Sequence, residues 1–136
     1  MELFSSIYHP SIGILILRAG LAVIFWLHGV MKAQFRNMQP SEQLTAGALK
    51  NLRILSYAEP LGAIAILLGL LTQLTASCFV IVMFLAIRLK RNTKMPFLAK
   101  GASGGWEFEL VVLLAAASVV LLGPGRISLD HLLFGI

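Results

Sequence analysis

Apolar residues fall in four long stretches along the 136-residue chain, with polar and basic residues confined almost wholly to the connections between them. A helix needs roughly 20 mainly apolar residues to cross a bilayer. Four segments meet that length, at about 12–35, 54–71, 74–90 and 106–122. The third has the shortest apolar run. It reaches span length when Leu74 and Lys90 are included as interfacial residues, with Lys90 and Arg91 snorkelling to the headgroups. Runs such as LGAIAILLGLL and LVVLLAAASVVLL lack the strict alternation of a membrane β-strand. The pattern therefore predicts an all-α fold, an integral membrane four-helix bundle.

The tight connection LTQLT between the second and third stretches requires neighbouring antiparallel helices. Up-down-up-down order then puts both long connections, 36–53 and 90–105, on one side. Lys32, Arg36, Lys50, Arg53, Lys90, Arg91, Lys94 and Lys100 gather there, whereas the other side has Arg126 and little else basic. This bias places both long loops in the cytoplasm and both termini outside, in a multi-pass protein of the cell (inner, cytoplasmic) membrane. The first stretch has no Lys or Arg before it and is too long for the core of a secretory signal, so it is expected to stay attached. No composition shift divides the chain, and 1–136 reads as one transmembrane domain. Gly123-Pro124-Gly125 stops the fourth stretch, and 126–136 reads as an interfacial anchor with Ser128 as a helix cap.

With 58% hydrophobic and 12% charged residues, a soluble globular domain is excluded. The net charge of +5 follows from topology and anionic headgroups, so no nucleic-acid partner is expected. The stretch Lys100-Gly-Ala-Ser-Gly-Gly-Trp106 follows no strand and lacks the Lys-Ser/Thr ending of a P-loop; it reads as a flexible turn with Trp106 as an interfacial anchor. The single cysteine, Cys78, sits in an apolar helix and reads as a buried structural thiol. One cysteine, no paired histidines within the spans and no nucleotide fingerprint mean that no intrinsic haem, iron–sulfur cluster, flavin or metal is expected.

Ionisable residues within hydrocarbon are costly and are by default binding or pathway candidates. His28, Glu59, Arg88 and Glu107 come one from each stretch, at similar depth on the loop side, and Lys32 shares a helix face with His28. Two carboxylates facing Arg88 and Lys32 make a compensated cluster, which costs less than isolated charges. Pro60 biases Glu59 away from helical geometry, so the second span is expected to start or kink there and to open Glu59 towards the bundle mouth. On the same helix Glu59, Gly62, Ile66, Gly69 and Gln73 share a stripe whose glycines allow close packing. Glu109 points away from Glu107, towards headgroup or loop. Arg18, near the outer end of the first span, is expected to snorkel or to bind backbone carbonyls.

Four motifs occur in a fixed order: His28-Gly29-x-x-Lys32, Glu59-Pro60-x-Gly62 leading to Gly69-Leu70-Leu71-Thr72, Gly104-Gly105-Trp106-Glu107, and Gly123-Pro124-Gly125-Arg126-x-Ser128-Leu129-Asp130. With Arg18 in Leu-Arg-Ala-Gly-Leu, they resemble the DoxX family along nearly the whole chain. The family pattern has an Arg or similar residue where this chain has Gln73. The resemblance implies a four-helix membrane protein similar to membrane subunits of quinone-linked oxidoreductases that oxidise reduced sulfur compounds. On this reading His28, Lys32 and Arg88 bind a quinone oxygen or a small anionic substrate. Glu59, Glu107 and His28 handle protons, and Phe25, Trp26, Phe84 and Phe108 offer apolar walls. Electrons come from a redox partner protein. Two other readings stand beside it: a non-catalytic membrane scaffold or assembly factor, in which the polar cluster only fixes helix register, and a small-solute transporter working as a homo-oligomer.

Overall fold

The computed structural model describes residues 9–42, 44–100 and 104–135, which are all-α. Helix α1 (Pro10–Lys32) runs into a 3-10 turn (Ala33–Asn37) and is followed by α2 (Ala46–Leu68), α3 (Thr72–Asn92), α4 (Glu107–Leu122) and the short α5 (Leu129–Phe134). Three helices, α1 with its 3-10 extension, α2 and α3, are long and apolar enough to cross a membrane, and the protein is a multi-pass membrane protein. The fourth helix has 16 residues, about 24 Å at the α-helical rise. It, rather than the third, is the shortest of the four: α3 continues through Lys90, Arg91 and Asn92 to a length of 21 residues. Basic side chains suit a helix C-terminus, where the backbone dipole is negative. The middle of the Gly-rich stretch, 101–103, and the N-terminal 1–8 lie outside the described residues.

Helix boundaries have local causes. Pro10 occupies the first turn of α1, where no backbone donor is needed. The Thr45 hydroxyl accepts from the Ala48 N–H at 3.3 Å and starts α2. That start lies well before residue 54, and Pro60 is inside the helix rather than at its beginning. A proline at position 60 deprives the Ser56 carbonyl of its i+4 donor. Here the Arg36 guanidinium supplies the missing bond, donating to the Ser56 carbonyl at 2.7 Å and to the Ser56 hydroxyl at 2.9 Å. The same guanidinium lies 3.9 Å from the Tyr57 ring centroid. The expected break at Glu59-Pro60 is thus replaced by a continuous helix, mended from the 3-10 turn.

Helices α1 and α2 pack along each other, as do α3 and α4, and contacts from α1 to α4 and from α2 to α3 join the pairs around one core. The Phe25 and Phe79 rings stack at its centre, 3.5 Å apart and nearly parallel. Gly62 makes room for them, since a Cβ there would come within 2.8 Å of the Phe79 ring. Ile66, Ala76, Ala116 and Val119 complete the buried layer. Ile16, Val23, Ile81 and Leu121 face outward, as expected of surfaces solvated by hydrocarbon. Cys78 is exposed, so the expected burial of its thiol is corrected: it lies two residues from the buried Ala76 and on another side of α3.

The turn between α2 and α3 is Gly69–Leu71, with Thr72 already helical, and both Gly69 (φ 70°) and Leu71 (φ 48°) are left-handed. The Leu71 N–H would ordinarily bond the Leu67 carbonyl and continue the ladder. Instead the Asp130 carboxylate takes the N–H groups of Leu71 and Thr72, each at 2.7 Å, and Arg18 takes the carbonyl of Leu67 at 2.7 Å. Arg18 is 1% exposed and also donates to the carbonyls of Ile66, Pro124 and Ile127. Its expected role as a carbonyl ligand is confirmed. Ser128 caps α5 by accepting from the His131 N–H at 3.1 Å. The C-terminal segment is therefore fastened to the helix ends by Asp130 and Arg18 as well as presenting Leu132, Leu133 and Phe134 outward.

Burial alone would raise the Asp130 carboxyl's affinity for a proton, but the Thr72 and Leu71 N–H groups and the Arg18 charge outweigh it and hold the group below its ordinary value. A depressed folded value means stabilisation that is complete above the unfolded carboxyl range, near pH ~4, and is lost as pH falls through the folded value. Asp130→Asn is expected to lower stability at pH 7 by about 1 kcal/mol, as for loss of a helix cap. The gap in melting temperature from wild type in detergent should narrow as pH is taken below 4, while an equal gap at all pH values would contradict this assignment.

Candidate functional site

The site is built where the loop-side half of α1 meets α2, α3 and α4. Gly29 lets the α1 backbone approach α2: a Cβ at that position would collide with the Pro60 ring. The close approach brings Lys32 onto Glu59, with Nζ at 2.7 and 2.6 Å from the two carboxylate oxygens. Glu59 is 2% exposed, so it does not open to the bundle mouth as expected from Pro60; a continuous α2 carries it into the packed interior instead. The segments HGxxK and EPxG thus form one constellation, in which each glycine or proline positions the charge on its neighbour.

A second ion pair faces the first from the other helix pair. Lys90 Nζ lies 2.7 Å from Glu109 Oε1 and donates to the Gly105 carbonyl, also at 2.7 Å. Glu109 is buried, and its Oε2 has no hydrogen-bond partner among the described residues. His28, half-buried on α1, lies within the electrostatic reach of all four charged groups, Lys32, Glu59, Glu109 and Lys90. The Phe108 ring is tilted against it with centroids 6.0 Å apart. The two pairs carry no net charge, which limits the cost of holding them away from water. What results is a half-buried imidazole in the field of two ion pairs, one of which keeps a buried carboxylate oxygen without a partner among the described residues.

Of the residues expected at the site, the structure brings together His28, Lys32 and Glu59. Arg88 and Glu107 stand apart. Arg88 is exposed and forms no hydrogen bond or ion pair among the described residues. Residues two apart on a helix point about 200° away from each other, so Lys90 facing Glu109 sends Arg88 outward, while Glu109 turns Glu107 to another side of α4, where its Oε2 is buried without a hydrogen-bond partner among the described residues. Glu107 braces the connection before α4: its Oε1 accepts from the Ala99 N–H at 2.9 Å. The Trp106 and Glu107 N–H groups share the Phe97 carbonyl at 3.1 Å, and the Phe97 and Trp106 rings meet edge to face at 4.6 Å. Gly105 cannot carry a Cβ here without striking Glu107 and the 97–99 backbone.

Lys90 and Glu109 form the second ion pair, which a reading by depth overlooked. Helical phase could have found them, because Val112, Ala116 and Val119 follow Glu109 at i+3, i+7 and i+10 on the core face of α4. Among the aromatic residues considered as walls, Phe108 alone adjoins His28. Phe25 is in the core stack, while Trp26 and Phe84 are exposed on outer surfaces.

A protein of Bacillus subtilis (strain 168) named "Putative oxidoreductase CatD" is 28% identical over 128 residues, covering 91% of this chain and 89% of its own length. No solved structure matches the chain. The DoxX family model matches residues 13–92, more than half of the sequence. That segment holds Gly29, Lys32, Glu59, Pro60 and Lys90, the residues that set the geometry of both ion pairs from α1, α2 and α3. The chain is a member of the DoxX family.

Proposed function

We propose that the protein is the membrane component of a quinone-linked redox system, with the niche around His28 receiving the polar headgroup of a quinone and exchanging protons with it. The observation that carries this reading is His28 within the electrostatic reach of two ion pairs whose carboxylates are buried, one of them with a Glu109 oxygen that lacks a partner among the described residues. A quinone ring needs apolar walls, and its oxygens need donors and, on reduction, protons. Phe108 supplies wall, His28 a group that can give or take a proton, and Glu109 Oε2 an acceptor for a ligand hydroxyl. Lys32 and Lys90 pair with Glu59 and Glu109. The redox character named for the Bacillus subtilis relative agrees with this reading. Electrons reach the niche from a partner protein.

The proposal includes α4 as a fourth crossing in up-down-up-down order, short enough to require local thinning of the bilayer or help from flanking Trp106. It also places the connections around 36–53 and 90–105 in the cytoplasm, where Arg36, Lys50, Arg53 and Arg91 collect. The scaffold reading loses the glycines of the family motifs, because Gly29, Gly62, Gly69 and Gly105 are each closed by a neighbour within the chain; only Gly13 and Gly20, among the described glycines of α1, are left open to another protein.

In detergent, a short-tailed benzoquinone is expected to quench Trp106 emission saturably in a Trp26→Phe background. Glu109→Gln and His28→Ala should each weaken that saturable component about tenfold or more, the loss of one or two buried hydrogen bonds, while Arg88→Gln leaves it unchanged. Equal, non-saturating quenching in all four proteins would reduce the effect to partitioning into the micelle and sink the proposal.

A further inference from the structure

The separation of Arg88 from the central niche leaves it in a site of its own. Phe84, Ile87, Arg88, Arg91 and Asn92 recur at i, i+3, i+4, i+7 and i+8 on one face of α3 and line a cavity of about 300 Å³. The end of that face near the helix C-terminus is cationic and the other end apolar, with Phe84 58% exposed and Ile81, a turn further along, also exposed. The cavity contains no carboxylate. At the same end of the molecule, Glu59 is paired with Lys32 and Glu109 with Lys90, and Glu107, bonded at one oxygen to the Ala99 N–H, does not line the cavity. The Arg91 guanidinium lies over the Trp106 ring, 5.9 Å from its centroid, a contact that takes none of its N–H donors. The Asn92 amide adds another donor to the lining.

We infer that this cavity binds the phosphate of an anionic phospholipid, with Arg88 and Arg91 on the headgroup and Phe84 and Ile87 against the start of the acyl chains. Two guanidiniums without an internal counter-charge match a phosphodiester in charge and in fork geometry. The continuous apolar surface from Ile81 to Phe84 selects a lipid over free phosphate, because half of the lining has nothing to offer a small hydrated ion. A lipid bound here also neutralises charge near the α3 C-terminus, on the helix that supplies Lys90 to the central niche.

Native mass spectrometry of the intact protein in mild detergent tests this, with phosphatidylglycerol, phosphatidylcholine and inorganic phosphate as the probes. Wild type is expected to retain phosphatidylglycerol in preference to phosphatidylcholine, and R88Q/R91Q to bind phosphatidylglycerol roughly 30-fold more weakly, from about a fivefold effect at each position. Excess inorganic phosphate should leave the lipid bound. Unchanged retention in R88Q/R91Q, or displacement by inorganic phosphate at lipid-equivalent concentration, would overturn the assignment. Lys50→Gln, outside the cavity, controls for general loss of positive charge and should keep wild-type retention.

Discussion

Lys32→Met is expected to destabilise the protein by about 3–5 kcal/mol, because it leaves the Glu59 carboxylate buried without its counter-charge. Glu59 is 2% exposed and both of its oxygens are bonded by Lys32, so nothing else is positioned to replace the ammonium. The converse change should cost less. The Lys32 side chain retains 20% of its exposure, and a long cationic chain can turn to water or headgroups when its partner is removed. Glu59→Gln is therefore expected to cost less than half as much as Lys32→Met. The double change Lys32→Met with Glu59→Leu should recover most of the loss, since an apolar pair of similar volume carries no desolvation cost. Unfolding from mild detergent into denaturing detergent gives the three values, and the double-mutant cycle isolates the coupling. Equal costs for the two single changes would show that Glu59 is far better hydrated than its burial indicates.

The same ion pair shows how far the sequence can be read. The spans, the gathering of basic residues at one end and the shared face of His28 and Lys32 follow from hydropathy and helical spacing alone. Depth along the axis picked out the correct end of each helix but not the correct face: Arg88 and Glu107 lie at nearly the same level as Lys90 and Glu109, about 200° away. In α4 the apolar residues encircle the helix so completely that no polar stripe marks the buried side. The continuity of α2 through Pro60 was hidden for another reason. The donor that replaces the lost backbone bond belongs to Arg36, in what reads as a loop, and only tertiary structure brings it within 2.7 Å of the Ser56 carbonyl. Arg18 stands out by its isolation in an apolar run, but whether it snorkels or binds carbonyls, and which carbonyls it serves, depends on the C-terminal segment folding back.

That fold-back makes Arg18 the most consequential residue at the end of the bundle away from the ion pairs. The carbonyl of Leu67 loses its usual helical donor because the Leu71 N–H is bonded to Asp130, and a carbonyl left open in hydrocarbon is costly. Arg18 meets it with one nitrogen, Ile66 with another at 2.8 Å, and Pro124 and Ile127 with a third, both at 2.8 Å. Gly69 has no side chain because the Arg18 guanidinium and Ser128 occupy that space. Arg18→Leu is accordingly expected to cost roughly 3–5 kcal/mol: each charged hydrogen bond contributes on the order of 1.5–3 kcal/mol, but bonds sharing one donor group do not add. Arg18→Lys should restore only part, since an ammonium cannot span carbonyls that a planar guanidinium reaches on three edges. Hydrogen exchange separates this from general unfolding. In Arg18→Leu, exchange at 69–72 and 123–135 should accelerate strongly while amides around Lys32 and Glu59 keep most of their protection. Uniform acceleration along all four long helices would mean that Arg18 supports the whole core rather than joining the α2–α3 turn to the C-terminal segment.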